Sequence, residues 1–167
     1  MSNIFTIYTD GGYISSEEKI GAWAYIILDP NSKETKILEK HAQGEIETTN
    51  NKMELTAAIK ALHKMKDLKD KYDIKEIHIY TDSQYLQRGM VSWIQSWKKN
   101  NWKSKYSNQP IKNRELWEEL DAFNLVWKVK YYWVKGHGDD KLNNQVDQMC
   151  QDEIKKTVEA HKKKKAS

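Results

Sequence analysis

Ile4-Phe5-Thr6-Ile7-Tyr8-Thr9-Asp10-Gly11-Gly12 is an apolar, β-prone run that ends in a carboxylate followed by two glycines. Such a run suits a buried central strand. The glycine pair predicts that the chain turns away sharply there, which puts Asp10 at a strand end. The last four letters before the glycines return as Ile79-Tyr80-Thr81-Asp82. If the two strands are parallel neighbours, about 4.8 Å apart, both aspartates arrive at one edge of the sheet. Two carboxylates forced together repel, and a bound cation lets both stay ionised.

The chain has 167 residues, enough for one domain with a real core. Its 28 Lys and Arg exceed its 24 acids, for a formal charge of +4, a mildly basic balance. Seven Trp and nine Tyr are more telling, because several stand among Lys and Asn. No apolar run approaches the roughly 20 residues of a membrane span. The start lacks a basic region followed by an apolar stretch and a small-residue cleavage site. Cys150 is the one cysteine, which excludes an intrachain disulfide. It falls on the apolar face of a helical pattern and reads as a small core residue. A soluble, cytoplasmic, monomeric protein is expected, with residues 1–160 as a single domain and 161–167 as a basic tail.

Around the opening stretch, Tyr13 to Lys19 reads as a polar loop and Ile20 to Leu28 as the second strand. Asp29-Pro30-Asn31-Ser32 is a turn, and Lys36 to His41 returns as a third strand. Thr48-Thr49-Asn50-Asn51 offers N-caps for a helix whose stripe is Leu55, Ala58, Ile59, Leu62 and Met65. Glu54 lies at its start, where an acid by itself reads as favouring the helix dipole. Lys66 to Asp73 is a charged connector, and Ile74 to Asp82 is the second core strand. Asp82-Ser83 caps a short helix reaching about Arg88. The order β-β-β-α-β predicts a mixed sheet with a crossover helix.

Trp93 to Lys103 interleaves Trp93, Trp97 and Trp102 with Lys98, Lys99 and Lys103. A helix would put Trp93 and Trp97 on one face. Indoles with fixed positive charge suit a sugar-phosphate backbone. A surface helix docked by its tryptophans reads equally well. Gln109 to Asn113 is a loop, Arg114 to Val126 a helix, and Trp127 to Tyr131 an alternating last strand. His137 sits between two glycines, exposed and mobile. The final helix starts near Leu142 or Asn143, with stripe Val146, Met149, Cys150, Ile154 and Val158, and Asp147 in its first turns. The closing run His161-Lys162-Lys163-Lys164-Lys165 reads as a solvated end or a weak nucleic-acid contact.

Each carboxylate alone has a plain explanation. Together, Tyr8-Thr9-Asp10-Gly11, Thr49-Asn50-Asn51-Lys52-Met53-Glu54-Leu55, Thr81-Asp82-Ser83-Gln84-Tyr85, Trp93 through Lys103, and Val134-Lys135-Gly136-His137 resemble ribonuclease H type 1, in its bacterial ribonuclease HI form. The resemblance runs in order along nearly the whole chain. It implies an α/β fold: a five-stranded mixed sheet of order 3-2-1-4-5 flanked by helices. It also implies endonucleolytic hydrolysis of the RNA strand of RNA–DNA hybrids, leaving 5′-phosphate and 3′-hydroxyl ends. By the same resemblance Asp10, Glu54, Asp82 and Asp147 are metal-binding carboxylates, and His137 assists proton transfer or product release. Trp93, Trp97, Lys98, Lys99, Trp102 and Lys103 fall on the basic protrusion that grips DNA. Gly12, Ser16, Asn50 and Asn51 fall on contacts to the RNA strand, and Thr49 and Asn113 on a phosphate pocket.

Oxygen-only ligands suit Mg²⁺, with Mn²⁺ as the alternative, over zinc. A pair of such ions, about 4 Å apart, activates water and stabilises the departing oxygen. Asp10 is the expected bridge between them. Selecting RNA calls for 2′-hydroxyl contacts in the minor groove, since A-like helices hide their base edges. Three departures stand out. Asn143-Asn144 replaces the usual Asn-Glu before Asp147. Glu47 replaces an Arg near the phosphate pocket. Asp139-Asp140 adds acid to the His137 loop. The competing readings are another nuclease of the same fold, transposase- or resolvase-like, and a non-catalytic hybrid-binding module. The four filled carboxylate positions count against the second.

Overall fold

The computed structural model describes residues 3–16, 18–32 and 35–166. Met1, Ser2, Glu17, Lys33, Glu34 and Ser167 lie outside the described residues, and with them the ends of the expected domain and tail. The elements run β1 (Ile4–Tyr13), β2 (Gly21–Leu28), β3 (Ile37–Glu45), α1 (Asn50–Leu68), β4 (Glu76–Thr81) and α2 (Gln84–Arg88). A π-helical turn (Gly89–Trp93), α3 (Ile94–Lys99), α4 (Arg114–Phe123), β5 (Lys128–Trp133) and α5 (Lys141–Ala166) follow.

The sheet has the order β3-β2-β1-β4-β5. The first three strands form the expected antiparallel meander, and β4 and β5 join in parallel. The repeated tetrapeptide pairs in register, Ile7 with Ile79 and Tyr8 with Tyr80. Asp10 and Asp82 each lie two residues beyond that last pair, so the echo in sequence becomes adjacency in space.

Alternation on the strands divides the core in two. Phe5, Ile7, Trp23, Tyr25, Ile27, Ile77 and Ile79 face α1 with its Leu55, Ala58, Ile59, Leu62 and Met65. Tyr8, Ala22, Ala24 and Ile26 face α5 with Val146, Cys150 and Ile154. Period-2 strands meet period-3.6 helices on both faces, which fixes the register of the whole sheet.

The glycines act differently from expectation. β1 does not turn away after Asp10; it continues through Gly11 and Gly12 to Tyr13, and Asp10 pairs with Ala24 inside the strand. Gly11 is there for close approach: a Cβ would meet the Met53 carbonyl carbon at 2.5 Å. It lets α1 lie against β1 at the level of Glu54.

Helix α1 starts as expected. Thr49 is extended (φ −136°, ψ 162°) and its hydroxyl accepts from the Lys52 N–H at 3.2 Å. Ser83 caps α2 in the same way, accepting from Leu86 N–H at 3.1 Å. Helix α4 ends at Phe123, three residues short of expectation, and α1 continues to Leu68 into the stretch expected as a connector. Helix α5 is regular through Ala166. Among the described residues no helix is long and apolar enough to cross a membrane.

Candidate active site

Asp10, Glu54 and Asp82 offer oxygens that all lie within 4.8 Å of one another. Asp10 is 2% exposed and Glu54 5%, whereas Asp82 is half-buried. Each is set by a different element. Asp10 comes from β1, flanked by the buried Thr9 and Gly11. Asp82 follows β4 directly. Its carbonyl accepts from Trp133 Nε1 at 3.1 Å, and the next N–H, of Ser83, reaches back to Thr81 Oγ1 at 3.0 Å. Glu54 comes from α1 and accepts the Gly11 N–H on Oε1 at 2.5 Å.

Glu54 and Asp147 are not dipole acids. Neither α1 nor α5 has an acidic residue in its first turn. Glu54 is fifth in its helix and turned inward. Asp147 is half-buried on α5, next to Val146 and one turn before Cys150, whose thiol donates to the Asp10 carbonyl at 3.3 Å. That seating brings the Asp147 carboxyl within hydrogen-bonding reach of Asp10.

Electrostatics mark the cluster as incomplete without positive charge. Burial, then Glu54 and Asp82, push the Asp10 carboxyl far above the usual carboxylate range. Glu54 is also raised well above it, by burial and then Asp82, against the opposing Gly11 N–H. Asp10 Oδ2 is buried with no hydrogen-bond partner. Among the described residues no Lys, Arg or His comes within 4.0 Å of any of the four carboxylates. A buried set of all-oxygen donors with an orphaned atom fits a hard divalent cation.

His137 is exposed, with φ 56° in the left-handed region. Its loop is seated on the cluster: a Cβ on Gly136 would lie 3.1 Å from Asp82 Oδ2. Asn144 donates to the Gly138 carbonyl at 3.0 Å, which ties the loop to α5. Asp140 faces the fold rather than the carboxylates. One oxygen accepts from the Leu142 and Asn143 N–H groups at 3.0 and 3.2 Å, and the other from Tyr8 OH at 2.9 Å.

The residues expected as nucleic-acid contacts divide. Thr49, Asn50 and Asn51 are exposed together at the start of α1. Ser16 keeps a buried hydroxyl without a partner, and Gly12 is buried against Ile154 and Cys150. In the protrusion, Trp97 and Trp102 are half-buried against the core. Trp97 packs 5.1 Å from Trp117, and Lys98 pairs with Asp121 at 3.2 Å. Trp93, 37% exposed, walls a groove of about 250 Å³ shared with Trp97, Lys103 and Lys105. Lys99 is exposed at the end of α3. Trp97, Trp102 and Lys98 thus match the docked-helix reading, while Trp93, Lys99 and Lys103 stay exposed.

Asn113, at φ 61°, donates to Tyr85 OH at 3.1 Å. It lines an open cavity of about 570 Å³ with Lys52 and Arg114. Sequence reasoning misses these two cations. The position of Lys52 between Asn51 and Met53 is the available signal.

A mixed sheet of order 3-2-1-4-5, with carboxylates from its two central parallel strands and its first helix, defines an α/β domain of the RNase H-like kind. Solved structures agree on that fold. LC9-RNase H1 aligns at TM-score 0.74 with 24% identity, over 88% of this chain and 70% of that one. LC11-RNase H1 in complex with RNA/DNA hybrid aligns at 0.69 with 20% identity, over 92% and 99%. The RNase H family profile matches residues 2–155. The ribonuclease H of Treponema denticola is 46% identical over 160 residues, 91% of this chain and 98% of its own. That of Acetivibrio thermocellus is 41% identical over 153 residues, 90% and 95%. The chain belongs to the RNase H family, a metal-dependent family of nucleases.

Proposed function

We propose that this protein hydrolyses the RNA strand of RNA–DNA hybrids endonucleolytically, leaving 5′-phosphate and 3′-hydroxyl ends. The observation that carries the reading is the Asp10–Glu54–Asp82 cluster, paired with no cationic side chain among the described residues, in a chain 46% identical to a ribonuclease H along its length. Asp10, Glu54, Asp82 and Asp147 would hold two Mg²⁺ ions, with Mn²⁺ as substitute. Divalent ions held there supply charge neutralisation at the scissile phosphate and activation of water.

The chain's own residues do the rest. Asp10, the most buried of the four, would be the ligand the ions share. The Gly11 N–H orients Glu54. His137 follows Gly136, whose backbone lies beside Asp82, and would move a proton at the leaving oxygen or help release product. Asn50 and Asn51, exposed at the start of α1, are suited to 2′-hydroxyls, and Ser16 and Gly12 would contact the same strand. Asn113 shares its cavity with Lys52 and with Arg114, which is paired with Glu118; together with Thr49 at the start of α1 it would supply a phosphate site on the DNA strand, where Lys52 would offset Glu47. Trp93, Lys99 and Lys103 give the protrusion its nucleic-acid face, with Trp97, Lys98 and Trp102 shaping it. Sequence preference is weak, because backbone contacts position a duplex without reading it. All four carboxylates come from one chain, which supports a monomer as the active unit, with residues 1–160 as its domain.

The test is a labelled RNA–DNA hybrid incubated with Mg²⁺, beside single-stranded RNA, duplex RNA and duplex DNA, with wild type and Asp82→Asn in parallel. Hybrid-only cutting, abolished by the substitution, is expected. Equal cutting of hybrid and duplex DNA, or activity retained in the variant, contradicts the reading.

A further inference from the structure

Helix α5 does not stop where its buried stripe ends at Ile154. It continues to Ala166, with Lys162 and Lys163 exposed. Its last turn is docked. Glu18, in the loop between β1 and β2, places Oε1 2.5 Å from Lys165 Nζ and 3.6 Å from His161 Nε2. The same loop is tied to the approach of α1: the Glu18 carbonyl accepts from the Glu47 N–H, and that of Lys19 from the Thr48 N–H, each at 3.0 Å. Three segments distant in sequence therefore form one rim, running from the α1 start through the β1–β2 loop to the end of α5. The rim carries Ser16, Thr49, Asn50 and Asn51, the residues assigned above to the hybrid.

We propose that the basic end of α5, through Lys162 and Lys163, is a second contact for the hybrid's phosphate backbone, outside the cleavage site. This rests on the reading that the hybrid is the substrate. Glu18 makes an exposed ion pair with Lys165, and Lys162 and Lys163 stand exposed on the same helix, which is regular to Ala166. A segment already ordered as helix loses less freedom on binding than a loose tail does, so its lysines give more net attraction. Lys162 follows Asp147 by about 22 Å of helix at ~1.5 Å per residue. The contact therefore falls several base pairs from the scissile phosphate, and short hybrids do not reach it.

The experiment measures hybrid binding by fluorescence anisotropy, without divalent ions so that nothing is cut, across salt concentration. It compares the wild type, a Lys162/Lys163→Gln double variant, and a Lys69/Lys71→Gln double variant just beyond the far end of α1. Each phosphate that a lysine no longer neutralises lowers the slope of log K against log salt by about 0.9. The α5 variant is expected to lower it by about 1–2 on a long hybrid, so the wild-type advantage shrinks up to about 12-fold between 50 and 200 mM salt. The Lys69/Lys71 variant keeps the wild-type slope. On a hybrid too short to reach α5 the three proteins bind alike, and at saturating hybrid with Mg²⁺ the α5 variant keeps its kcat. An unchanged slope on the long hybrid overturns the proposal, as does an equal fall in both variants, which would mark general net charge. A protein that shows the slope difference but cuts no hybrid would refute the function above and leave this contact standing.

Discussion

Tyr8 and Asp140, 132 positions apart, are joined by a hydrogen bond of 2.9 Å from the phenol to Oδ2. Tyr8 stands two residues before Asp10 on the same strand face, and Asp140 caps the helix that carries Asp147. The bond thus sets α5 along β1 at the point where their carboxylates must meet. Burial, and then the hydrogen bond to Asp140, hold the phenol above its ordinary pKa, so it stays a donor at any working pH.

Tyr8→Phe is expected to cost about 1 kcal/mol. Asp140→Ala removes the cap as well and leaves the phenol without its partner, for about 2–3 kcal/mol. The two share one bond, so the double variant costs less than their sum. Urea denaturation of the four proteins measures this, and strict additivity would refute the coupling.

The cluster makes stability depend on pH in the reverse of the usual carboxylate sense. Asp10 and Glu54 have folded pKa values above their unfolded ones. Their contribution is therefore fully present below the ordinary carboxylate pKa of about 4 and lost as pH rises through the raised values. Without divalent ions the melting temperature should fall across that window, and Asp10→Asn should flatten the fall. Added Mg²⁺ should raise the wild-type melting temperature more at pH 8 than at pH 5, and leave Asp10→Asn nearly unmoved. Thermal melts at matched ionic strength check the sign. A larger Mg²⁺ effect at pH 5 would contradict it.

Gly11→Ala pushes a methyl into the α1 backbone at Met53 and Glu54. Backbone cannot rotate aside as a side chain can, so the cost is about 3 kcal/mol. The displaced Glu54 should also weaken divalent binding. Denaturation together with metal titration tests both, and a variant normal in each would show that the approach of β1 to α1 is not as tight as described.

Trp93 and Trp97 separate binding from packing. Trp97→Ala opens a hole beside Trp117 and should cost about 3 kcal/mol of stability. Trp93→Ala should cost little stability and weaken hybrid binding by about 1–3 kcal/mol. Paired melting and binding measurements decide it. The reverse assignment would refute the placement of the two rings.

The sheet is legible in the sequence because its signals are local and repeated. Ile7-Tyr8-Thr9-Asp10 and Ile79-Tyr80-Thr81-Asp82 each commit a buried period-2 strand to one register, and Thr49 and Ser83 announce their helices with one hydroxyl apiece. What escapes reading depends on partners remote in sequence. Gly11 reads as a turn because nothing local says that α1 presses on it. Glu54 reads as a dipole acid because its burial comes from the sheet. Asp140 reads as an added acid for the site, and only Tyr8 reveals it as a tether. The π-helical turn at Gly89–Trp93 leaves no trace in hydrophobic spacing. It accompanies the packing of Trp117 against Gly89, where a Cβ would meet the Trp117 ring.

Manganese-soaked crystals, read by anomalous diffraction, test the central claim most directly. The account predicts anomalous peaks bounded by Asp10, Glu54 and Asp82, with Asp147 adjoining one of them, and their disappearance in Asp10→Asn. Crystals whose peaks lie elsewhere, or that hold no ion between those carboxylates at saturating Mn²⁺, would contradict it.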